Sequence, residues 1–198
     1  MTAALAAALL IALCAAVPVP GAVAQAAEPL SEAAEPLFDA EGYRVRAFRA
    51  ETGTRAPPGA ATIDTEALHG LLASGAATPV DVLPTPPRPP TLRPGTLWLP
   101  PERRNIPGSL WLPDLGLPAL SPAQEERFRA ALEPARRSGR PVVVYCLPDC
   151  WLSWNAARRL VAWRFPDVRW YPGGTAAWSD AGHPSETATP AVRPEDFF

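Results

Sequence analysis

The run Pro141-Val142-Val143-Val144-Tyr145 restricts the fold more than any other part of the chain, because bulky apolar side chains follow one another there without a polar break. Successive side chains of a strand point to opposite faces, so a run of this kind has no face suited to water. It belongs in the interior of a parallel sheet, covered on both sides by helices. The expectation is an α/β domain of three layers around a central parallel sheet. Cys146 follows directly, at the carboxyl end of this strand.

The flanking sequence supplies the other layers. Thr65-Glu66-Ala67-Leu68-His69-Gly70-Leu71-Leu72 has apolar residues at helical spacing, with Gly75 as a stop and Pro79 to Leu83 as a strand after it. Leu83 to Pro101 holds eight prolines, which neither a helix nor an inner strand accepts, and reads as an extended surface arm. The turn Ile106-Pro107-Gly108 leads into a strand over Ser109 to Leu112. Ser121, Pro122 and Gln124 form a capping box for a helix that presents Phe128, Ala131 and Leu132 on one face and ends at Pro134 and Gly139. Ser153 to Trp163 reads as a helix and Val168 to Tyr171 as a last strand.

The first residues, Met1 to about Ala27, hold no charge, and Ala4 to Val17 is an apolar run too short for a membrane span. Small residues in Ala22-Val23-Ala24 and Ala24-Gln25-Ala26 fit a signal-peptidase site, so the chain is expected to be exported to the periplasm, without stable membrane insertion after cleavage. The organisation expected is a signal over 1–26, an extension over 27–64, the α/β domain over 65–190 with its arm at 83–101, and a tail over 191–198. Formal charge is -2 and every basic residue is Arg, with no long basic stripe, so nucleic acid is not expected as a partner.

Of three cysteines, Cys14 falls in the signal, which leaves Cys146 and Cys150. A disulfide between residues four apart closes so short a loop that it staples almost nothing, and its value must be chemical. Ligands and nucleophiles gather outside the carboxyl ends of parallel strands, where loop amides and helix N-termini offer free N–H groups. That position is expected to favour the thiolate of Cys146, the form that attacks sulfur or binds metal. His69 and His183 have no ligand-like spacing to the pair and read as structural.

Several blocks together resemble the rhodanese domain. Asp81 and Ile106-Pro107-Gly108-Ser109 match its first half. Cys146 at the strand end, Ser153, Asn155-Ala156-Ala157, Trp170 to Trp178 with its Gly173-Gly174 pair, and Gly182-His183-Pro184 match its second. Within that superfamily the mature chain is similar to the PQQ-dependent catabolism-associated CXXCW motif proteins. The blocks that carry this are Gly42-Tyr43-Arg44, Phe48-Arg49-Ala50, Asp81-Val82-Leu83-Pro84, Ile106 to Pro113 and Cys146-Leu147-Pro148-Asp149-Cys150-Trp151-Leu152-Ser153-Trp154-Asn155-Ala156-Ala157. The spacing is C-x-x-x-C-W, one residue longer than the family's name.

The resemblance implies a rhodanese-like fold, a sulfurtransferase-like site at Cys146, and association with a PQQ-dependent dehydrogenase system or a redox partner, with no cofactor required by this chain itself. Cys146 and Cys150 are the candidate catalytic residues, with Asp149, Trp151, Ser153, Asp81 and Arg104 at the loop and rim. The loop itself lacks Arg and Lys, Asp149 repels an anionic sulfur donor, and Pro148 removes an N–H from the cradle. Arg103 and Arg104 could bring charge from a neighbouring loop. Three uses remain open at this level: thiol–disulfide or sulfur-handling chemistry in which Cys146 attacks and Cys150 resolves, a non-catalytic module holding a partner or flat cofactor on Trp151 and Trp154, and Cu(I) delivery. N-terminal sequencing of the exported protein should place the mature start between about Gln25 and Glu28; recovery of the full chain in the membrane fraction would show an anchor instead.

Overall fold

The computed structural model describes residues 36–99 and 101–192; the expected signal, Cys14 and nearly all of the tail lie outside the described residues. In chain order the elements are β1 (Ala61–Thr62), α1 (Thr65–Ala73), β2 (Thr78–Asp81), β3 (Arg104–Asn105), β4 (Leu110–Trp111), α2 (Pro122–Ser138), β5 (Val142–Tyr145), α3 (Trp151–Ala162), β6 (Val168–Tyr171), α4 (Gly174–Asp180) and β7 (Glu186–Thr187). Five strands form a parallel sheet in the order β1-β6-β5-β2-β4, and β3 pairs antiparallel with β7 beside it. No helix among the described residues is long and apolar enough to cross a membrane.

Strand β5 lies at the centre, with Val142 opposite Thr78 of β2 and Val168 of β6, and all four of its residues are buried. Its side chains divide by parity, as the pleat requires. Val142 and Val144 join Phe128 and Leu132 of α2 and Ala156, Ala157 and Leu160 of α3 in one apolar cluster. Val143 and Tyr145 join Leu68 of α1 and Trp178 of α4 in the other. The two clusters are the two interfaces of a three-layer sandwich.

Helix α2 starts as the capping box requires, since Ser121 accepts from Gln124 N–H and the Gln124 side chain accepts from Ser121 N–H. Its end differs from expectation. Pro134 lies inside the helix, which runs to Ser138 and closes on Gly139 in the left-handed conformation at φ 66°. A proline deprives one carbonyl, that of Ala130, of its helical partner, and both residues are exposed, so water satisfies it. Helix α3 begins at Trp151 rather than Ser153, which makes Cys150 its N-cap. Strand β1 pairs with β6 at the sheet edge although it falls in the segment read as an extension; two residues are too few to show a periodicity. The proline arm has no helix or strand among its described residues and is tied to the sheet where the Leu83 carbonyl accepts Trp111 Nε1–H at 2.7 Å.

The segment upstream of β1 is fixed to α3 by several contacts, of which those of Asn155 are the most buried. Asn155, fully buried, accepts Arg44 N–H at 2.8 Å through Oδ1, and its Nδ2 donates to the carbonyls of Arg44 at 2.9 Å and Gly116 at 3.1 Å. Replacing Asn155 with Ala strands a backbone N–H and two carbonyls in the interior and should destabilise the domain by about 2–3 kcal/mol. Urea denaturation should show the loss, and limited proteolysis of the variant should cut first between Glu41 and Glu51.

Candidate active site

Cys146 leaves the carboxyl end of β5, and three residues later Asp149 takes a positive φ of 51°, turning the chain sharply enough to bring Cys150 back over it. The two Sγ atoms lie 2.7 Å apart, inside van der Waals contact and outside a covalent bond. Both residues are buried, Cys146 completely and Cys150 to 2% exposure. The loop is held from beneath by the start of α4: Thr175 N–H donates to the Cys146 carbonyl at 3.1 Å, and a Cβ on Gly174 would stand 2.5 Å from that oxygen, so only glycine fits there. Ser153 acts through the backbone. Its Oγ donates to the Cys150 carbonyl at 2.9 Å and accepts Trp170 Nε1–H at 3.0 Å, which ties the head of α3 to β6.

A strap from the N-terminal side covers the loop. Ala50 N–H donates to the Asp149 carbonyl at 3.2 Å and Trp151 N–H to the Phe48 carbonyl at 2.8 Å, which sets Arg49 opposite Cys150 as an antiparallel pair. The Arg44 guanidinium lies over the Trp151 ring at 4.7 Å and the Phe38 ring at 5.4 Å, and it closes the strap on itself by donating to the Arg46 and Ala47 carbonyls. Trp151 meets Phe38 and Trp154 edge to face at 5.4 and 5.5 Å. Trp151 and Trp154 remain half-buried, with Arg44 over one face of the Trp151 ring. The blocks Gly42-Tyr43-Arg44 and Phe48-Arg49-Ala50 marked this region in the sequence, but nothing local assigned it to the cysteine loop.

The two thiols are driven apart electrostatically. Either sulfur can donate across this contact; with Cys146 as the donor, the bond together with burial pushes the Cys146 thiol far up. The same bond stabilises the Cys150 thiolate and, with Leu152 N–H and the Arg49 guanidinium, outweighs burial to bring Cys150 down to about 6. Two groups sharing one proton titrate as a unit, and the charge settles on the sulfur with more donors, which is Cys150. The helix N-terminus expected to lie nearest Cys146 has Cys150 as its N-cap, without a side-chain cap hydrogen bond, because α3 begins at Trp151, two residues before its apolar pattern indicates.

Asp81 lies at the carboxyl end of β2, fully buried, and its Oδ1 accepts Leu83 N–H at 3.0 Å. Burial raises its carboxyl, opposed by the charge of Arg103, whose Nε and Nη2 reach Oδ2 at 2.8 and 2.7 Å. Asp81 in turn helps to raise Cys146. Arg104, placed at the rim in the sequence reading, points elsewhere: its guanidinium donates to Ser185 Oγ and the Ser185 carbonyl and faces Glu102. Of the two adjacent arginines, Arg103, just before β3, turns to Asp81, and Arg104, on the strand, turns to Ser185. Asp149 is exposed on the loop.

A model of the rhodanese-like domain matches residues 65–181, more than half of the chain. The chain belongs to the rhodanese-like domain family. Its rhodanese-like domain is similar to three solved structures, each below the identity at which more than the fold follows. Thiosulfate sulfurtransferase from Pseudomonas aeruginosa is 19% identical, with TM-score 0.42 over 69% of this chain and 23% of that one. The rhodanese-like domain of a protein from Anabaena sp. is 21% identical, with TM-score 0.42 over 67% and 83%. The 3-mercaptopyruvate sulfurtransferase from Leishmania major is 17% identical, with TM-score 0.43 over 70% and 39%. The chain thus spans about a quarter of the Pseudomonas enzyme's length. No curated protein matched. The strap that covers the cysteines precedes the matched segment.

The two arginines provide a direct check on this arrangement. Asp81→Ala leaves Arg103 without its buried partner and should cost about 3 kcal/mol in chemical denaturation. Arg104→Ala, which breaks only exposed contacts, should change stability by less than about 0.5 kcal/mol.

Proposed function

We propose that the protein is an exported, periplasmic accessory factor of PQQ-dependent alcohol oxidation whose Cys146 and Cys150 cycle between dithiol and disulfide. The observation that carries the redox reading is the 2.7 Å contact between the two sulfurs of one short loop. The association with PQQ-dependent oxidation rests on the resemblance of the CXXCW blocks, and export rests on the uncharged apolar start with its small-residue cleavage sites. In this reading the quinone belongs to the partner dehydrogenase, and this chain handles thiols.

The order of attack follows from the charge. Cys150 is the nucleophile because it is the thiolate, and its attack on a partner disulfide breaks that S–S bond, forms a mixed disulfide and releases one partner thiolate. Cys146 then attacks the Cys150 sulfur, its proton passing to the departing thiolate as the second partner sulfur leaves. The protein has lost two electrons and the Cys146 proton, and the partner disulfide has gained them, leaving as one thiolate and one thiol. This reverses the roles expected from the sequence, where Cys146 attacks and Cys150 resolves.

Intact mass of the purified protein under oxidised and reduced glutathione tests the cycle, since disulfide, added sulfur and bound metal differ in mass. Wild type should lose and regain two hydrogens. Reaction with iodoacetamide should rise with pH through about 6 and then level off, because a thiol lowered to that value is already ionised at neutrality. Cys150→Ser should abolish the mass change and slow alkylation at pH 7 by about tenfold or more. Brisk sulfur transfer from thiosulfate that Cys150→Ser leaves untouched would overturn the reading.

A further inference from the structure

The loop between the two cysteines carries an acidic residue, Asp149, and no basic one, yet the buried Cys150 thiol is shifted toward its charged form. A buried anion needs a partner. Among the described residues, the groups around it include the Cys146 sulfur at 2.7 Å, the exposed Asp149 beside it, Asp81, which bears on Cys146 behind it, and Arg44, whose guanidinium lies over Trp151. Among the described residues, Arg49 of the strap is paired directly opposite Cys150, and its guanidinium lowers that thiol by hydrogen bond and by charge. Its place is set by the backbone, since the bonds on either side, Ala50 to Asp149 and Trp151 to Phe48, hold Arg49 opposite Cys150, and the Asn155 clamp anchors the strap upstream.

We propose that Arg49 is the cation of this site, a positioning residue that holds the Cys150 thiolate and gives the site a preference for anionic disulfides over cationic ones. The proposal rests on the thiol–disulfide reading above and deepens it by naming the charge class of the substrate. Arg49 is itself exposed and stands opposite Cys150, so its charge is open to a disulfide that approaches from that side. A guanidinium there attracts carboxylate-bearing substrates and opposes ammonium-bearing ones. The cation comes from outside the segment that matches the rhodanese-like domain, so this chain equips the loop from its own N-terminal strap.

The test uses the full mature chain, reduced, and follows only the first step, formation of the mixed disulfide, with three small probes: dianionic dithiobis-nitrobenzoate, neutral dithiodipyridine and dicationic cystamine. In wild type the anionic probe should react faster than the cationic one, and the ratio should shrink as salt is added. Arg49→Ala should lower the ratio of anionic to cationic rates by about tenfold and move the pH midpoint of alkylation upward, while Arg49→Lys should restore most of the ratio. A ratio and midpoint unchanged in Arg49→Ala would overturn the proposal. If Arg49→Ala loosens the strap, the neutral probe shows it as a faster rate, and the ratio of the charged probes still reads the charge. Because the first step does not involve Cys146 as a nucleophile, failure of the intramolecular disulfide would sink the redox cycle without touching this result, and the reverse also holds.

Discussion

Strand β5 has no side exposed to water, and the rest of the architecture is a response to that. Val142 and Val144 need α2 and α3 on one face, while Val143 and Tyr145 need α1 and α4 on the other. A strand so placed must have parallel neighbours on both edges, which β2 and β6 supply in register. Its carboxyl end is then the point where several loops and helix starts converge, and Cys146 is the first residue past it. Burial of an apolar strand thus places a sulfur where backbone donors are concentrated.

What happens to that sulfur depends on the second cysteine. With Cys150 2.7 Å away and at the head of α3, the loop holds two sulfurs in contact, and Arg49 opposite Cys150 draws negative charge toward the outer one. The inner sulfur is kept neutral by its own hydrogen bond, by burial and by the nearby Asp81. Asp81 is itself held by Arg103 and Leu83, so the environment behind Cys146 is a closed polar network. The site has a charged front and a neutral back, and this asymmetry, more than the presence of two thiols, orders the chemistry.

The strap completes the site from a distance in the chain. Asn155 of α3 grips the backbone of Arg44, and the Arg44 guanidinium caps Trp151, next in sequence to Cys150. One helix therefore carries the N-cap cysteine, the aromatic rim and the clamp for the segment that covers both. Displacing the strap would expose the cysteines and remove Arg49 together, so access and charge are coupled through the same few hydrogen bonds.

The layer order, the central strand, the capping box of α2 and the position of Cys146 at a strand end were legible in the sequence, because each follows from local pattern: parity, helical spacing or a cap within one turn. The pairing of Cys146 with Cys150 was also visible as spacing. The charge on Cys150 was not, since it depends on where α3 begins, and Trp151 and Leu152 start the helix ahead of the apolar pattern that signalled it. Nor was the choice of Arg103 over Arg104 for Asp81, which the facing of two adjacent residues decides. Sequence alone determined that a thiol would stand at the end of a buried parallel strand. Only the tertiary structure decided which thiol bears the charge and that Arg49, about a hundred residues upstream, meets it, because electrostatics acts through space and these contacts join segments with no local signal in common.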